Sequence, residues 1–464
     1  MTAAHVRRIT VVPTEVRRYV RSLGIGAFVV GGAVRDELLG IPHGDEDFLV
    51  PGVDHARLRG LLARHGRVED MEVHGQLVGV RLHPADRSIR GLVPKGIELT
   101  PPRAERSTGP GHRDFEIVGD PGVGVAEDMA RRDFTINALA RNLDTGELVD
   151  PFGGLVDLAR RELRVLSPGA FAEDPLRILR GLRLVSQLGF TPTGETLARM
   201  RVEASGLRHV SAERIGGGLA ADGLGELSKL LLGVRPGLAL RLARDTGALV
   251  EVLPEIRPAI GLDLCSERQP LPLDEHVLAV VQASADLGAP LAVRLAALLH
   301  DLGKPGAAAA GEGHGQRGAV IARDVLRRLR YPGRMQRRVT TLVREHPFRV
   351  GEVDGAAARR FLAAHGDAVA FDLVTLKQAD LSVKSVPDAE RERLAALRAA
   401  LEREQASAHH VTDLAVGGDD LIAAGLAEGP ELGRVLHGLL EAVLDDPERN
   451  DRDRLLALAR ELAG

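Results

Sequence analysis

The sequence predicts an α+β head followed by an all-α remainder, and three observations predict it. Short apolar runs of strand length alternate with Gly and Pro punctuation up to about residue 164. From about Phe171 the strand signals stop and amphipathic helical spacing takes over. At 464 residues the chain exceeds one compact core, since a domain takes roughly 150 residues. Shifts in composition and period divide it into a head at 1–165, a helical neck at 166–262, a second helical unit at 263–386 and a helical tail at 387–464.

Within the head, the strand Ala27-Phe28-Val29-Val30 runs into Gly31-Gly32 and a helix expected to start near Ala33. Glycines let backbone amides approach phosphate oxygens, the helix points its positive end at them, and Arg35 adds a fixed charge. Next comes Asp45-Glu46-Asp47 ahead of the strand Phe48-Leu49-Val50. Alternate strand residues share a face, so Asp45 and Asp47 would stand roughly 6 to 7 Å apart at the backbone and can share Mg²⁺. Two such ions would neutralise the attacking and leaving oxygens of an in-line displacement at phosphorus. Val78-Gly79-Val80-Arg81-Leu82 reads as a further strand, and Pro101 to Gly124, rich in Gly, Pro and charge, as a long loop able to close over a substrate.

Arg131-Arg132-Asp133-Phe134-Thr135-Ile136-Asn137-Ala138 follows, where Arg131 can grip triphosphate oxygens with both arms of its fork. In Glu173-Asp174-Pro175-Leu176-Arg177-Ile178-Leu179-Arg180-Gly181-Leu182-Arg183, Asp174 suits an N-cap and Pro175 a first turn, with Ile178, Leu182 and Val185 facing inward. The cap and stripe leave Arg177, Arg180 and Arg183 on one slowly turning ridge that begins at a carboxylate. Asp174 and Arg177, one turn apart, offer an acceptor and a donor fork to the edge of a nucleobase, so the protein itself can act as template.

The helical remainder breaks at Arg257-Pro258-Ala259-Ile260-Gly261 and resumes from about Leu271 to Ser385, with an Ala/Gly-rich loop at Ala307–Gly318. Along it stand His276, His300-Asp301, His314, His346 and Asp380. Imidazoles and carboxylates contributed by several helices are what a one- or two-metal hydrolytic site requires. Arg323 to Arg338 carries seven arginines, a solvated helix face or a contact for RNA phosphates.

Composition narrows the partners. The chain is 44% hydrophobic and 27% charged, as an ordinary folded protein is. A single cysteine, Cys265, excludes a disulfide framework and a thiolate cluster and fits a reducing compartment. Met1 to Thr10 has no apolar core of signal length and no stretch approaches the ~18 apolar residues of a membrane span. A cytoplasmic protein without membrane contact is therefore expected, and nothing points to a protein partner. A net charge of -4 disfavours nonspecific coating of nucleic acid. Two Tyr and no Trp leave little for base stacking, so RNA contacts should run through arginine and phosphate.

Five strings, Val30–Asp36, Asp45-x-Asp47, Arg131–Ala138, Asp150–Asp157 and Glu173–Arg180, stand in the order of the class II CCA-adding tRNA nucleotidyltransferase signature, which this chain resembles over about residues 26 to 190. Bacterial poly(A) polymerases are relatives of that family. The resemblance implies a polymerase-beta-like head that adds CMP and AMP from CTP and ATP to the 3′ end of tRNA, releasing pyrophosphate. By it, Gly32, Arg35 and Arg131 bind the nucleotide, Asp45 and Asp47 hold catalytic Mg²⁺, and Asp174 and Arg177 read the base. It has Arg180 and Arg183 support phosphates and ridge, and places a further acidic residue at Glu98. The order His276, His300-Asp301, His314, His346, Asp380 resembles the HD phosphohydrolase domain, implying a divalent metal of open identity and action on phosphate monoesters and 2′,3′-cyclic phosphates. Two other readings use the same residues: a poly(A) polymerase accepting ATP alone, and a metal-dependent phosphohydrolase whose N-terminal half binds RNA.

Overall fold

Seven strands form the sheet that carries the head, in the order β3-β4-β5-β2-β1-β8-β9. They are β1 (Phe28–Val30), β2 (Asp47–Leu49), β3 (Gly66–Val73), β4 (Gln76–Pro84), β5 (Ile97–Thr100), β8 (Ala140–Asn142) and β9 (Leu148–Val149). The β2–β5 pair is parallel and every other neighbouring pair antiparallel, the mixed sheet expected of an α+β head. Val29, Phe48, Leu49, Val80, Leu82 and Leu99 are buried, so the short apolar runs form its core. The computed structural model describes residues 14–42, 46–73, 75–107, 115–119, 121–217, 223–306 and 313–463. The chain divides into two units, Met1–Ser211 with Leu242–Val252, and Ala212–Arg241 with Leu253–Gly464.

The register of the central strands fixes where polar groups emerge. The last residue of β1, Val30, lies opposite Asp47 of β2 on one side and Ala140 of β8 on the other. Asp47 in turn lies beside Glu98 of β5. The chain leaves β1 through Gly31, whose φ of 75° and ψ of −133° fall where only glycine is comfortable, and enters helix α1 (Gly32–Leu39).

Three local expectations are corrected. The segment from Pro101 to Gly124 is not all loop: β6 (Arg103–Ser107) and β7 (Phe115–Gly119) pair as an antiparallel hairpin, and the short helix α2 (Val125–Ala130) follows. The Gly and Pro that suggested a loop fall before, between and after the two strands. Strand pairing also persists beyond Phe171, because β11 (Thr191–Pro192) pairs in parallel with β10 (Glu162–Leu163). The Ala/Gly-rich segment ends sooner than expected, since α6 (His314–Arg328) begins at its histidine. Gly315 and Gly318 stand in that helix where a Cβ would press on the Arg344 carbonyl and on Val343, so they are glycines of close packing.

Helix α3 (Leu176–Leu188) buries Ile178, Leu182 and Val185 as its stripe requires. It starts one residue later than the capping pattern suggested: Pro175 occupies the N-cap, and the Asp174 carboxylate accepts from the Leu176 amide at 3.1 Å. Gly181 lets α3 close on Phe134, whose ring a Cβ there would strike. In the second unit, α4 (Leu273–Asp286), α5 (Leu291–Leu299), α6, α7 (Gly333–Glu345) and α8 (Asp367–Ser382) surround the histidine and aspartate ligands. Leu362, Ala370, Val374 and Leu401 form a second core with α9 (Asp388–Glu404), and Val435, Leu439, Val443 and Leu455 a third in the tail. Among the described residues no helix is long and apolar enough to cross a membrane.

Candidate functional site

The turn at Gly31 and the motif Arg131–Ala138 meet. The Gly31 amide donates to the Leu139 carbonyl at 2.9 Å, and a Cβ on Gly31 would collide with the guanidinium of Arg132. Arg132 is therefore the arginine of the pair that lies against the start of α1. Burial pushes its guanidinium below its ordinary value, and the charges of Asp128, Asp47 and Asp133 act in the opposite direction, which places Asp47 within its electrostatic reach. Arg131 donates instead to the fully buried Asp128 at 2.8 and 3.0 Å.

A continuous polar network ties this turn to the arginine ridge. Arg35, on α1, is nearly buried and donates to the side-chain oxygen of Asn137. The Asn137 amide donates to Asp133 Oδ1 at 2.8 Å, the Phe134 amide to the same oxygen at 2.9 Å, and Arg180 Nε to Asp133 Oδ2 at 2.8 Å. Burial alone would raise the Asp133 pKa, but Arg180 and the bonds from Asn137 and Phe134 bring it down to about 2. Arg177 donates to the Arg131 carbonyl at 2.8 Å and to Glu173 at 3.2 Å, and half-buried Arg183 follows Arg180 along α3. Gly32, Arg35, Arg131, Arg177 and Arg180 thus come together through Asp128, Asp133 and Asn137, the partners that the sequence did not single out.

The carboxylate side of this site is described at Asp47, which is exposed at the start of β2; Asp45 lies outside the described residues. Glu98, beside Asp47 in the parallel register, is paired with Arg81 at 2.5 Å. Residues in register on neighbouring strands share a face, so an exposed carboxylate with a second one next to it fits a hard divalent cation. The string Asp150–Asp157 is scaffold. Asp150 caps the next helix by accepting from the amides of Gly154 and Leu155 at 2.7 and 2.9 Å, and buried Asp157 takes bonds from Thr135 and Arg164.

In the second unit all six expected ligands converge. The Nε2 of His276 lies 3.1 Å from Asp380 and 3.5 Å from Asp301, and that of His300 lies 3.2 Å from Asp301. On the other oxygen of Asp301 sit His346 at 3.5 Å and His314 at 3.8 Å. Asp301 therefore stands between two ligand groups, His276-His300-Asp380 and Asp301-His314-His346. The Nδ1 atoms of His300 and His346 bond the Ala297 and Val343 carbonyls at 2.8 and 2.7 Å, which leaves each Nε2 as the lone-pair atom facing inward.

The inward atoms face mainly one another and Lys384, which lies 2.7 Å from Asp380. Among the described residues, His276 Nε2, His300 Nε2 and Asp380 Oδ1 are buried and make no well-aligned hydrogen bond despite these close approaches, as groups arranged for a cation would be. Burial depresses the pKa of His276, His314 and His346, favouring the neutral ligating form. Burial works against ionised Asp301, yet His300, His346 and Lys304 hold it well below the usual carboxylate range. These residues fit one or two divalent metal ions.

Family models match the chain in three places: the Poly A polymerase head domain over residues 27–164, a probable RNA and SrmB-binding site of polymerase A over 189–260, and the HD domain over 273–382. The multifunctional CCA protein of Azoarcus sp. strain BH72 is 40% identical over 327 residues, 69% of this chain and 73% of that protein. That of Xanthomonas campestris pv. campestris strain B100 is 35% identical over 425 residues, 88% of this chain and 95% of that protein. The chain belongs to the multifunctional CCA protein family. Among solved structures it resembles the Bacillus stearothermophilus CCA-adding enzyme in complex with CTP, with a TM-score of 0.67 at 25% identity over 96% of this chain and 97% of that one. The Thermotoga maritima CCA-adding enzyme complexed with tRNA shares the fold, with a TM-score of 0.59 at 20% identity over 97% of this chain and 96% of that one.

The sequence alone does not show the placement of Arg132 or the linking roles of Asp133 and Asn137. No periodicity argument separates the two arginines beforehand.

Proposed function

We propose that this protein adds CMP and then AMP, from CTP and ATP, to the 3′ end of tRNA without a nucleic-acid template. The observation that carries this reading is the unbroken network from Arg35 at the Gly31 turn, through Asn137 and Asp133, to Arg180 on the ridge of α3. It mechanically joins a phosphate-binding turn to a helix with Asp174 just before its start and Arg177 in its first turn. In this reading Gly32, Arg35, Arg131 and Arg132 hold the triphosphate, and Asp174 and Arg177 meet the Watson–Crick edge of cytosine or adenine. Arg180 and Arg183 keep the ridge in place.

The tRNA 3′ hydroxyl loses its proton and attacks the α-phosphate; one P–O bond forms, the α–β bond breaks, and pyrophosphate leaves. Asp47 and Asp45 would hold Mg²⁺, which when bound neutralises charge on the oxygens at phosphorus. The chain's own contribution is position: a partly buried arginine set held by hydrogen bonds reorganises little as charge develops. The test is incubation of tRNA lacking its CCA end with labelled CTP alone, with labelled ATP alone, and with labelled ATP plus unlabelled CTP. Incorporation of both CMP and AMP, stopping after one adenosine and lost in Asp47→Asn, supports the reading; ATP-only, unlimited extension makes the protein a poly(A) polymerase.

A second activity is favoured by the position of Asp301 between two ligand groups. The HD cluster would hold a divalent cation and hydrolyse phosphate esters, water attacking phosphorus while the ester oxygen leaves as an alcohol. Metal-dependent phosphate release that disappears in Asp301→Ala supports it, and release that survives removes it.

A further inference from the structure

A cavity of about 540 Å³ opens over the HD ligands, lined by Asp301, His314, His346 and Asp380 and by a set of cationic side chains. Those cations fall into two kinds. Lys304 pairs with Asp301 at 2.6 Å, Lys384 with Asp380 at 2.7 Å, and Arg268 with Glu390 at 2.6 Å. The other three, Arg349, Lys377 and Arg393, line the same cavity, and none of them has a carboxylate within ion-pair distance among the described residues. Lys377 is partly buried and held in place, its ammonium 5.4 Å from the centre of the Phe348 ring and 3.4 Å from the His346 carbonyl.

The ligand set and Lys304 account for one phosphate at the reacting position. Among the described lining residues six cations face three carboxylates, Asp301, Asp380 and Glu390, which leaves a surplus of three positive charges in a partly enclosed cleft, and a cation bound at the HD cluster adds to it. Such a cleft concentrates anions, and guanidinium forks grip phosphate in particular. The volume exceeds what a lone phosphate fills.

Resting on the hydrolytic reading above, we propose that the HD cleft takes a phosphorylated sugar bearing a second phosphate, the reacting group lying at the His/Asp cluster and the second on Arg349, Lys377 and Arg393. A free nucleoside bisphosphate presents this chemistry, and so does the phosphate-terminated end of an RNA chain.

The experiment titrates the full-length protein, stripped of metal with EDTA, by calorimetry with adenosine 3′-monophosphate, adenosine 3′,5′-bisphosphate and a 3′-phosphorylated dinucleotide. The expected result is binding about tenfold or more tighter for the bisphosphate than for the monophosphate, the advantage of one added charged hydrogen-bonding group. The variants Arg349→Gln, Arg393→Gln and Lys377→Gln should each reduce that advantage and leave monophosphate binding unchanged. The two arginines are exposed, so their removal leaves the core alone. A dinucleotide matching the bisphosphate identifies RNA ends as ligands, and one no tighter than the monophosphate identifies free nucleotides. Equal affinity for mono- and bisphosphate, or a preference untouched in all three variants, overturns the proposal. Phosphate release from the monophosphate with Mn²⁺ added back reports separately on hydrolysis, so a bisphosphate preference without release would sink the hydrolytic reading and not the second anion site.

Discussion

Replacing Asp133 with alanine removes the carboxylate on which Asn137, Phe134 and Arg180 converge, and its cost follows from what each partner loses. The Phe134 amide and the Asn137 side chain are buried and would be left without an acceptor, at about 1–2 kcal/mol each. Arg180 is 38% exposed at its side chain and can rehydrate, so its share is roughly 0–1 kcal/mol. The sum is about 3 kcal/mol, concentrated on the segment that touches both the Gly31 turn and α3. Hydrogen exchange read by mass spectrometry on peptides covering 131–138 should show amides exchanging roughly a hundredfold faster in Asp133→Ala, since 1.4 kcal/mol is a factor of ten. The sign with pH is also set. The Asp133 pKa falls from 3.8 to about 2 on folding, so its contribution of roughly 2 kcal/mol is complete above pH 4 and is lost as pH drops from about 4 toward 2. Asp133→Asn keeps the shape and should lose that acid dependence. Unchanged exchange in Asp133→Ala would refute the claim that this carboxylate joins the two halves of the site.

Gly31→Ala forces an L-residue to a φ of 75° and drives its Cβ into Arg132, so about 1–3 kcal/mol of strain and a raised KM for CTP and ATP are expected; steady-state kinetics with an unchanged KM would contradict the phosphate-turn assignment. Arg132→Lys keeps the charge but loses the planar fork, and should weaken triphosphate binding measured by nucleotide titration more than Arg131→Lys does, because Arg131 is committed to Asp128. The buried Tyr331 hydroxyl bonds Ser228 at 2.8 Å and its pKa is pushed up to about 12 by burial. Tyr331→Phe should cost about 1 kcal/mol in urea denaturation. Because the raised pKa belongs to the folded state, this group's stabilisation is complete below pH 10 and fades as pH rises toward 12, a trend that Tyr331→Phe should lack. Metal content measured after dialysis should fall in His300→Ala, whose Nε2 is one of the buried unpartnered atoms of the cluster.

The sequence by itself determined the elements whose cause is local. The apolar run Phe28–Val30 made a strand, the glycine pair made the turn, and the three-residue spacing of Arg177, Arg180 and Arg183 made a ridge on a helix with Ile178, Leu182 and Val185 inside. The six candidate HD residues, which the fold brings together, stood out as well, because few residue types bind metal and each sat at or near the end of a helical stretch. What local pattern reports less well is pairing over distance. The hairpin β6–β7 looked like a loop because its first strand, Arg103–Ser107, is polar and Gly and Pro flank and separate the two strands. Only the tertiary structure put Arg132 rather than Arg131 against Gly31, set Glu98 beside Asp47 and strung Asn137 and Asp133 between α1 and α3. It alone split the oxygens of Asp301 between two ligand groups and left three cleft cations with no carboxylate at ion-pair distance among the described residues. The physical reason is that periodicity encodes which face of an element is apolar, whereas the partner of a buried polar group is chosen by sheet register and helix packing between residues up to about a hundred positions apart, as with Arg35 and Asn137.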